Sequence, residues 1–492
     1  MLRILNHLIF IQTYPFTGVI QKTLVLCFLL ALYLGGLIHW TIFLNFGGLP
    51  FSDTTTDWPA QFGYYLTLKA ILKEAVIPYS VSGMPGPAGD AFFANPEVTM
   101  SPQILLLNFM SIGPFVLLNT LFVYTLGFTG CIALGIKYRL STVPFTILFL
   151  LFNFNGHITS HISMGHSMWS GYFLLPFVFF FIMQLFESDN KDKTFPSLLL
   201  SLTLFGIVLQ GSFHIYIWCL TFMSLLAIFN PDRWKILLLT MLYSGWLSIF
   251  RILPAGLMLN DYRASYASGF PTIGTLVDSL TTIKAFTYEH VRIQGPGSLY
   301  DVGWWEHNHF IGYIGVAFIL FFGIYQQYIR KPKQLEPFKY LGLPLLVITL
   351  FSFGLWFDIL SDLKIPLLSW VERVPSRFFI IPLLTLILLS CIQCQNMIRT
   401  AQFTITFKIL ALFALIQMAH SLIAHSWFWK LNGGSSKIEE SHYLENIYIN
   451  SYEQSSILYT QIVNISLILS ALGVIYVLYS ILNKSRTRKN RS

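Results

Sequence analysis

Two aspartates lie close together in one polar stretch, Ser52-Asp53-Thr54-Thr55-Thr56-Asp57-Trp58-Pro59. A carboxylate removes a proton from a hydroxyl group only if it is ionised and within hydrogen-bond reach of that proton. Because Pro59 suits the first turn of a helix, Asp57 is expected at a helix N-terminus, where the helix dipole favours the ionised form. An aspartate ionised in this way suits holding a substrate or a metal ion but is a weaker base. Asp57 is the first candidate for a catalytic carboxylate and Asp53 the second. Capping of the helix is the structural alternative for Asp57.

The helix that begins at Pro59 is predicted to continue to about Ala75. Its apolar side would carry Phe62, Tyr65, Leu66, Leu72 and Val76, with Gln61, Lys69, Lys73 and Glu74 elsewhere. Such a pattern is typical of an amphipathic helix that lies in the membrane interface. The segment that follows, from Pro78 to Pro102, is rich in proline and glycine, which indicates an ordered surface with many turns.

Two further stretches carry side chains that could contact a ligand. The first contains His157, His161 and His166, and the second is Tyr300-Asp301-Val302-Gly303-Trp304-Trp305-Glu306-His307-Asn308-His309. The three histidines lack an accompanying carboxylate at the spacing of zinc proteases, so a zinc site is not indicated. Interfacial polarity for the first stretch and an aromatic belt for the second are the structural alternatives.

The composition determines the class of protein in which these residues must be placed. The 492-residue chain is 55% hydrophobic and 11% charged, whereas an ordinary soluble domain has roughly 25% charged residues. A bilayer-spanning helix needs about 20 mostly apolar residues, because lipid offers the backbone no hydrogen-bond partners. Twelve candidates lie near 23–46, 104–136, 142–156, 168–186, 195–211, 213–229, 235–257, 309–329, 338–357, 378–397, 403–424 and 457–482. The sequence predicts an all-α polytopic membrane protein, a single transmembrane domain over 1–492.

The five cysteines all fall inside predicted spans, where thiols behave as small hydrophobic groups. Cys391 and Cys394 form a C-x-x-C pair, but within an apolar helix a redox or zinc function is not indicated.

Basic residues indicate the orientation of the chain, because cytoplasmic loops retain lysine and arginine. With the N-terminus inside, the cytoplasmic connections carry Lys137, Arg139, Lys191, Lys193, Arg233, Lys235, Arg330, Lys331, Lys333, Arg399 and the tail from Lys484 to Arg491. Both termini are then cytoplasmic, and 483–492 form a basic tail that contacts anionic lipid. The net charge of +8 reflects this topology, so nucleic-acid binding is not indicated.

The long connections all fall on the opposite side, at 47–103, 258–308, 358–377 and 425–456. Because long loops in compact proteins are usually functional, this extracytoplasmic face is the predicted working face. The short cytoplasmic loops contain no glycine-rich phosphate-binding motif. ATP or a nucleotide sugar is therefore not expected as a direct substrate.

The order of these features resembles the YfhO-like branch of the GT-C glycosyltransferase superfamily. After the acidic residues and the amphipathic helix come the turn Pro78-x-Ser80-x-x-Gly83-Met84-Pro85 and the stretch Ala94-Asn95-Pro96-Glu97. Further along are Asn155-Gly156-His157, Met164-Gly165-His166-Ser167-Met168-Trp169, Leu253-Pro254-Ala255 and Val374-Pro375-Ser376-Arg377-Phe378. The resemblance covers most of residues 20 to 400 and implies a GT-C-like fold.

Enzymes of this kind, as the resemblance implies, take a sugar from a polyprenyl-phosphate carrier at the outer leaflet of a bacterial cytoplasmic membrane. They pass it to an envelope glycan, lipid or protein. Asp57, or Asp53, would act as general base on the acceptor hydroxyl that attacks the anomeric carbon. Arg377 is the first candidate to stabilise the leaving phosphate, with an interfacial anchor as its structural alternative. Arg251, Arg263, Arg292 and Arg373 are weaker candidates.

The resemblance also orders the remaining candidates around such a substrate. His157 and His166 would hydrogen-bond a phosphate or a sugar at the mouth of the cavity. The other predicted substrate contacts are Asn95, Glu97, Trp305, Glu306 and His307. The Trp305 side chain would be a stacking surface for a sugar ring. A divalent metal ion is an option at Asp53 and Asp57 or near Glu306 and His307, but no spacing establishes one.

Three other functions remain as alternatives. A transporter or flippase for lipid-linked saccharides would also have about twelve spans, but ionisable residues near the midplane and related halves would be expected of it. A polysaccharide polymerase or ligase would share the lipid-linked substrate, but its working residues usually lie in a late outer loop. A non-catalytic scaffold would explain the helices without explaining the acidic first loop.

Overall fold

The computed structural model describes residues 18–489 except 85–87, 188–191, 259–268, 285–290, 296–297, 331–334, 336–337, 355–373, 401–404, 433–448 and 451–455. Most of the predicted loop 358–377 and much of 425–456 lie outside the described residues. The same holds for Lys191, Lys331, Lys333, Arg263, Arg373 and the last three residues of the tail.

The described chain is almost entirely helical. Its α-helices are α1 Val19–Phe43, α2 Trp58–Glu74, α3 Ile112–Tyr138, α4 Thr142–Asn153, α5 Gly156–Ser163, α6 Leu175–Phe186, α7 Thr194–Leu209, α8 Phe213–Phe229, α9 Trp234–Leu247, α10 Ile249–Met258, α11 Ile273–Thr281, α12 Gly312–Phe318, α13 Gly342–Phe351, α14 Ile380–Thr400, α15 Ile405–Phe428 and α16 Ile457–Lys489. A π-helix, Ile319–Ile329, continues α12.

Short 3-10 helices and strands make up the remaining regular structure. The 3-10 helices are Asn45–Gly47, Phe92–Ala94, Pro102–Asn108, Ser167–Leu174, Pro231–Arg233, Trp304–Glu306, Phe338–Tyr340 and Pro375–Phe379. Strand β1 (Ser80–Val81) pairs antiparallel with β4 (Ile449–Asn450), and β2 (Val291–Gly295) pairs antiparallel with β3 (Ser298–Val302).

Seven helical segments of the described chain are long and apolar enough to cross a membrane. They are Val19–Phe43, Ile112–Tyr138, Ser167–Phe186, Gly312–Ile329, Pro375–Thr400, Lys408–Phe428 and Ile457–Arg486. The pair Phe213–Phe229 and Pro231–Leu247, bent by 116°, would make an eighth if it forms one span. The chain is therefore an all-α, multi-pass membrane protein, as the composition predicts.

The remaining predicted spans coincide with shorter or bent helices. The helix α4, for example, has 12 residues, about 18 Å at 1.5 Å per residue, against the roughly 30 Å of a hydrocarbon core. A similar shortness applies to α7 and α13. The count of twelve spans thus stays a prediction.

The long helices form an outer and an inner group. Only 17% of the apolar window of α1 and 22% of that of α16 is buried within the protein, against 83% for the segment that contains α14. Since lipid covers what the protein does not, α1, α15 and α16 present their apolar side chains to the bilayer. The segment Ser167–Phe186 and α14 lie in the interior, where they hold the polar residues described below.

The basic connections that are predicted to share one side contact one another. The Arg399 guanidinium donates hydrogen bonds to the carbonyl oxygens of Tyr138 and Arg139, at 3.1 and 3.0 Å. Lys137 pairs with Glu187, and the Lys484 amine lies 3.1 Å from a carboxylate oxygen of Asp192. These connections therefore lie together at one end of the helices.

The helix predicted from Pro59 is present as α2, and its surroundings correct one expectation. Gln61, which was expected on the polar side, is only 2% exposed, and its side-chain oxygen accepts a hydrogen bond from the Ser167 hydroxyl at 2.9 Å. Val76, expected on the apolar side, is 44% exposed. The helix therefore packs inside the protein on more than one side, because the loop that follows it and α3 cover it.

Candidate functional site

The N-terminus of α2 is fixed to the turn that follows α5. The backbone N–H of Asp57 donates to the carbonyl oxygen of Met164 at 2.8 Å, and the Trp58 indole N–H donates to that of Ser163 at 3.0 Å. Gly165, the residue after Met164, has φ +100°, and a Cβ there would lie 2.5 Å from the backbone nitrogen of Trp58. Only glycine tolerates both the angle and the approach, so this turn sets the position of Asp57.

Asp57 stands at the N-cap of α2 but its side chain makes no capping hydrogen bond. Its Oδ2 instead lies 2.7 Å from Nε2 of His166. The carboxylate is 61% exposed, whereas the His166 side chain is 8% exposed. Asp57 therefore joins an open surface to a buried ring, which is more than the capping alternative requires.

A second histidine continues this contact into the protein. Nδ1 of His166 and Nδ1 of His161 are 2.9 Å apart, and both rings lie beside the indole of Trp169, with the His161 ring centroid 3.7 Å from the Trp169 centroid. His161 is completely buried. Burial lowers the pKa of His161 well below its usual value, and nearby histidines and Arg377 lower it further, so the ring is neutral near pH 7.

Beyond His161 lies a buried ion pair. Arg377, in the 3-10 helix before α14, donates from Nε to Oε2 and from Nη2 to Oε1 of Glu306, both at 2.6 Å. Trp305 donates its indole N–H to Oε1 at 3.2 Å. The guanidinium carbon lies 5.0 Å from the ring centroid of Trp169, and Nε2 of His161 lies 4.0 Å from Oε2 of Glu306. Trp169 therefore packs against both histidine rings and against the Arg377 guanidinium.

Three predicted or neighbouring histidines lie deeper than sequence reasoning suggested. His157 is fully buried, and its ring lies 5.0 Å from that of His309, so it is not at a cavity mouth. Both ring nitrogens of His157 and of His307 lack hydrogen-bond partners in the part of the chain that the structure describes. Burial lowers the pKa of His307 and of His309 to about 4, so both are neutral near pH 7.

Asp53 is engaged locally, in contrast to Asp57. Its Oδ1 accepts hydrogen bonds from the backbone N–H and the hydroxyl of Thr55, at 3.0 and 2.6 Å. Side chains of this kind stabilise a turn. The structure brings Asp57 to His166 and leaves Asp53 in the turn before it.

Asn95 and Glu97 have different surroundings. Asn95 is fully buried, and its amide donates to the carbonyl oxygens of Gly89 and Ala91, at 2.8 and 3.2 Å, so it organises its own loop. Glu97 is half-buried, with the Tyr64 hydroxyl 3.5 Å from its Oε2. Of the two, only Glu97 presents a partly accessible side chain.

Of the weaker arginine candidates, Arg251 is the one whose side chain the structure describes, and it does not join this group. Arg251 donates to backbone carbonyl oxygens of the first loop, and Arg263 and Arg373 lie outside the described residues. No group of three or more His, Cys, Asp or Glu side chains in the described residues could hold a metal ion.

His161 and Trp169 are the residues that sequence reasoning underrated. Both lie within the stretch that carries His157 and His166. The four-residue step from His157 to His161 places these two histidines on one helix face. The contact between His161 and His166 depends on the reversal of the chain at Gly165, which a helical pattern does not reveal.

Comparisons of the chain with protein-family models, with curated proteins and with solved structures found no match.

The chemistry available to this site follows from its exposed end, Asp57, and its buried end, the Glu306–Arg377 pair. An exposed carboxylate that contacts a buried imidazole can accept a proton from a hydroxyl group brought to its open side. The buried end holds a carboxylate and a guanidinium in a paired, fork-to-fork arrangement. The line Asp57–His166–His161–Glu306–Arg377 is hereafter called the polar chain.

Proposed function

We propose that the protein is a membrane glycosyltransferase of the GT-C type. It moves a sugar from a polyprenyl-phosphate donor to an envelope glycan, lipid or protein on the extracytoplasmic face of a bacterial cytoplasmic membrane. The observation that carries the proposal is the exposed Asp57 carboxylate held at 2.7 Å by His166. The alternatives are a transporter of lipid-linked saccharides and a polysaccharide polymerase.

In the proposed reaction, Asp57 removes the proton of an acceptor hydroxyl while that oxygen forms a bond to the anomeric carbon of the sugar. The bond from this carbon to the phosphate oxygen breaks, and polyprenyl phosphate leaves with the electron pair. The His166 contact favours this role, because it fixes one carboxylate oxygen and leaves the exposed side of Asp57 for the acceptor.

Asp57 is a better candidate than Asp53 on the grounds of its contacts. The Asp53 carboxylate already accepts two hydrogen bonds from Thr55, which serve the turn. Asp57 makes no capping hydrogen bond with its side chain, so helix capping does not explain its presence.

Arg377 remains our proposed contact for the leaving phosphate, with a condition that its partner imposes. Two of its nitrogens are bound to Glu306, so a phosphate has to displace the Glu306 carboxylate or bind another nitrogen of the same fork. If the phosphate displaces the carboxylate, Glu306 and Trp305, which donates to it, change position when the donor binds. Glu97, His166 and His307 complete the proposed set of substrate contacts.

The test is transfer of radiolabelled sugar from polyprenyl-phosphate donors to envelope acceptors by the full chain in proteoliposomes. We expect Asp57→Asn to reduce transfer by about 100-fold or more, the usual contribution of a general base. The matched control, Asp53→Asn, changes the same functional group four positions earlier and should retain most of the activity. Parallel assays with and without a chelator address a divalent ion.

Equal activity of wild type and Asp57→Asn would remove Asp57 from the reaction. Loss of activity in Asp53→Asn alone would move the catalytic function to Asp53. If the folded wild type transfers no sugar from any polyprenyl-phosphate donor but moves intact lipid-linked saccharide across the bilayer, the transporter alternative replaces this proposal.

A further inference from the structure

Three successive pairs of titratable side chains make up most of the polar chain, and the distances between their polar atoms differ. Asp57 and His166 are 2.7 Å apart, His166 and His161 2.9 Å, and His161 and Glu306 4.0 Å. The first two distances are hydrogen bonds and the third is not. Nε2 of His161, which faces Glu306, has no hydrogen-bond partner in the described residues.

Each hydrogen bond between two such groups holds one hydrogen atom, and this limits where the protons can be. A neutral imidazole carries one N–H, so two neutral rings supply two hydrogens. With Asp57 ionised, His166 must donate from Nε2. Its Nδ1 then accepts from Nδ1 of His161, which leaves Nε2 of His161 without a hydrogen. That is the nitrogen for which the described residues supply no hydrogen-bond partner.

A third proton changes this arrangement in a defined way. If His166 becomes a cation, it donates from both nitrogens, and Nδ1 of His161 becomes the acceptor. The neutral His161 ring must then carry its hydrogen on Nε2, directed at Glu306. Gain of one proton by His166 therefore requires His161 to change its tautomer.

We propose that His161 is a positioning residue for Asp57 and acts through His166. By changing its tautomer, it keeps its hydrogen bond to His166 in both charge states of that ring, and so holds His166 in place against Asp57. The charge state of His166 then determines how strongly Asp57 can bind a proton, because a cation 2.7 Å away stabilises the carboxylate. This catalytic consequence rests on the proposed function, whereas the tautomer change does not.

Charged and titratable groups surround the two rings on several elements. Asp57 faces His166 from α2, and Glu306 and Arg377 face His161 from two 3-10 helices. His157 and His309 are the other titratable rings close to His161. Burial, Arg377 and the neighbouring histidines all disfavour a positive charge at His161, so His161 stays neutral when a third proton enters this pair of rings.

The test is a pH titration of the full chain in detergent micelles, labelled with nitrogen-15 in the rings of its 12 histidines and followed by NMR. His166→Gln and His161→Gln identify the two sets of signals. On acidification, both nitrogens of His166 should shift to protonated values over one pH range. Over the same range, the His161 hydrogen should move from Nδ1 to Nε2. A His161 tautomer that stays fixed while His166 gains its proton would overturn the proposal.

Variants at His161 supply the second measurement. His161→Phe keeps a ring against Trp169 but removes the acceptor, so His166 should gain its proton about one pH unit or more lower, the usual effect of losing a hydrogen bond to a charged group. His161→Gln should restore most of the wild-type value, because its amide can present either oxygen or N–H. Asp53→Asn should change nothing. An unchanged His166 transition in His161→Phe contradicts the proposal.

The two proposals can fail separately. If the coupled tautomer change is observed but no sugar is transferred, the positioning of Asp57 stands and the glycosyltransferase proposal fails. If transfer depends on Asp57 but its pH profile is the same in wild type and His161→Phe, the reverse holds.

Discussion

Two buried arginines hold different regions of the molecule: Arg251 contacts the first long loop, and Arg377 belongs to the polar chain. The groups that accept their hydrogen bonds are also different. Arg251 is 1% exposed and donates to carbonyl oxygens of the loop, at 2.7 Å for Asn95 and at 3.4 Å for Phe92 and Phe93, and also to that of Val98. Arg377 is 5% exposed and binds the two oxygens of one carboxylate.

The difference separates a structural use of arginine from a use in a charged site. Carbonyl oxygens have one charge state, so Arg251 fixes the path of the backbone and little else. A carboxylate can exchange partners or protons, so the Arg377–Glu306 pair can respond to a ligand or to pH. Both arginines are buried, and an unpaired charge there is costly.

The largest expected effect is the loss of the folded state when Arg251 is replaced. Arg251→Leu removes every hydrogen bond to the loop carbonyls, and at roughly 1.5–3 kcal/mol for a bond from a charged donor we expect a loss of about 5 kcal/mol. The measurement is thermal unfolding in detergent, read by a thiol-reactive dye in a Cys27→Ser background, since the four other cysteines are free and buried. A variant with wild-type stability would show that the loop does not need Arg251.

Replacement of Arg377 should be nearly as damaging, but, unlike the loss of Arg251, it should be relieved by a second change. Arg377→Leu leaves the Glu306 carboxylate buried without its cation, at an expected cost of about 3–5 kcal/mol. Adding Glu306→Gln removes the charge, so the double variant should be more stable than Arg377→Leu alone. Additive losses in the same dye assay would show that the two side chains do not act as a pair.

The two arginines also show how far sequence reasoning reaches. The position of Asp57 at the start of a helix, the membrane class and most helix positions follow from local patterns. The pairing of Asp57 with His166, 109 residues away, and of Glu306 with Arg377, 71 residues away, depends on tertiary packing. No local spacing encodes either contact.

The depth of burial was the other property that local patterns did not reveal. His157 has the same neighbours in sequence whether it faces a cavity or the protein interior. Arg251, a minor candidate for phosphate, proved to hold backbone carbonyls, because the loop passes close to α10. Arg377, the first candidate, joined the histidine stretch through Trp169, a contact with no counterpart in the spacing of the sequence.

Acid should destabilise the region of Arg377 more than the region of Arg251. The pKa of His307 and of His309 is lowered by burial to about 4 in the folded state, against about 6.5 in an unfolded chain. The unfolded state therefore binds more protons between these values, so stability is full above pH 6.5 and falls as the pH drops towards 4. The loss is at most about 3 kcal/mol for each ring.

Unfolding temperatures measured between pH 7.5 and pH 4.5 should show this fall. His307→Phe should flatten the profile, because one titrating group is removed. Arg251→Lys should lower the whole curve without changing its slope, since the described residues that accept hydrogen bonds from Arg251 include no histidine. A parallel profile in wild type and His307→Phe would mean that His307 is not responsible for the acid sensitivity.

The smallest expected effect on stability separates the two regions through a pair of glycines. Gly83, in the loop that Arg251 holds, has φ +71°, and a Cβ added there would stand in open space. Gly165 has φ +100°, and a Cβ added there would lie 2.5 and 2.7 Å from backbone atoms of Trp58 and Asp57. Alanine at either position meets the unfavourable left-handed conformation, roughly 1–2 kcal/mol. At position 165 it must also push the start of α2 away from α5.

Gly83→Ala should therefore reduce stability slightly and leave sugar transfer near the wild-type rate. Gly165→Ala should lose clearly more stability than Gly83→Ala, because backbone atoms must move to admit the methyl group. It should in addition reduce transfer by about 100-fold, because a displacement of about 1 Å at a catalytic group has effects of that size. Thermal unfolding and transfer assays on the same preparations measure both quantities. Equal transfer by the two variants would show that the position of Asp57 relative to His166 is not what the reaction requires.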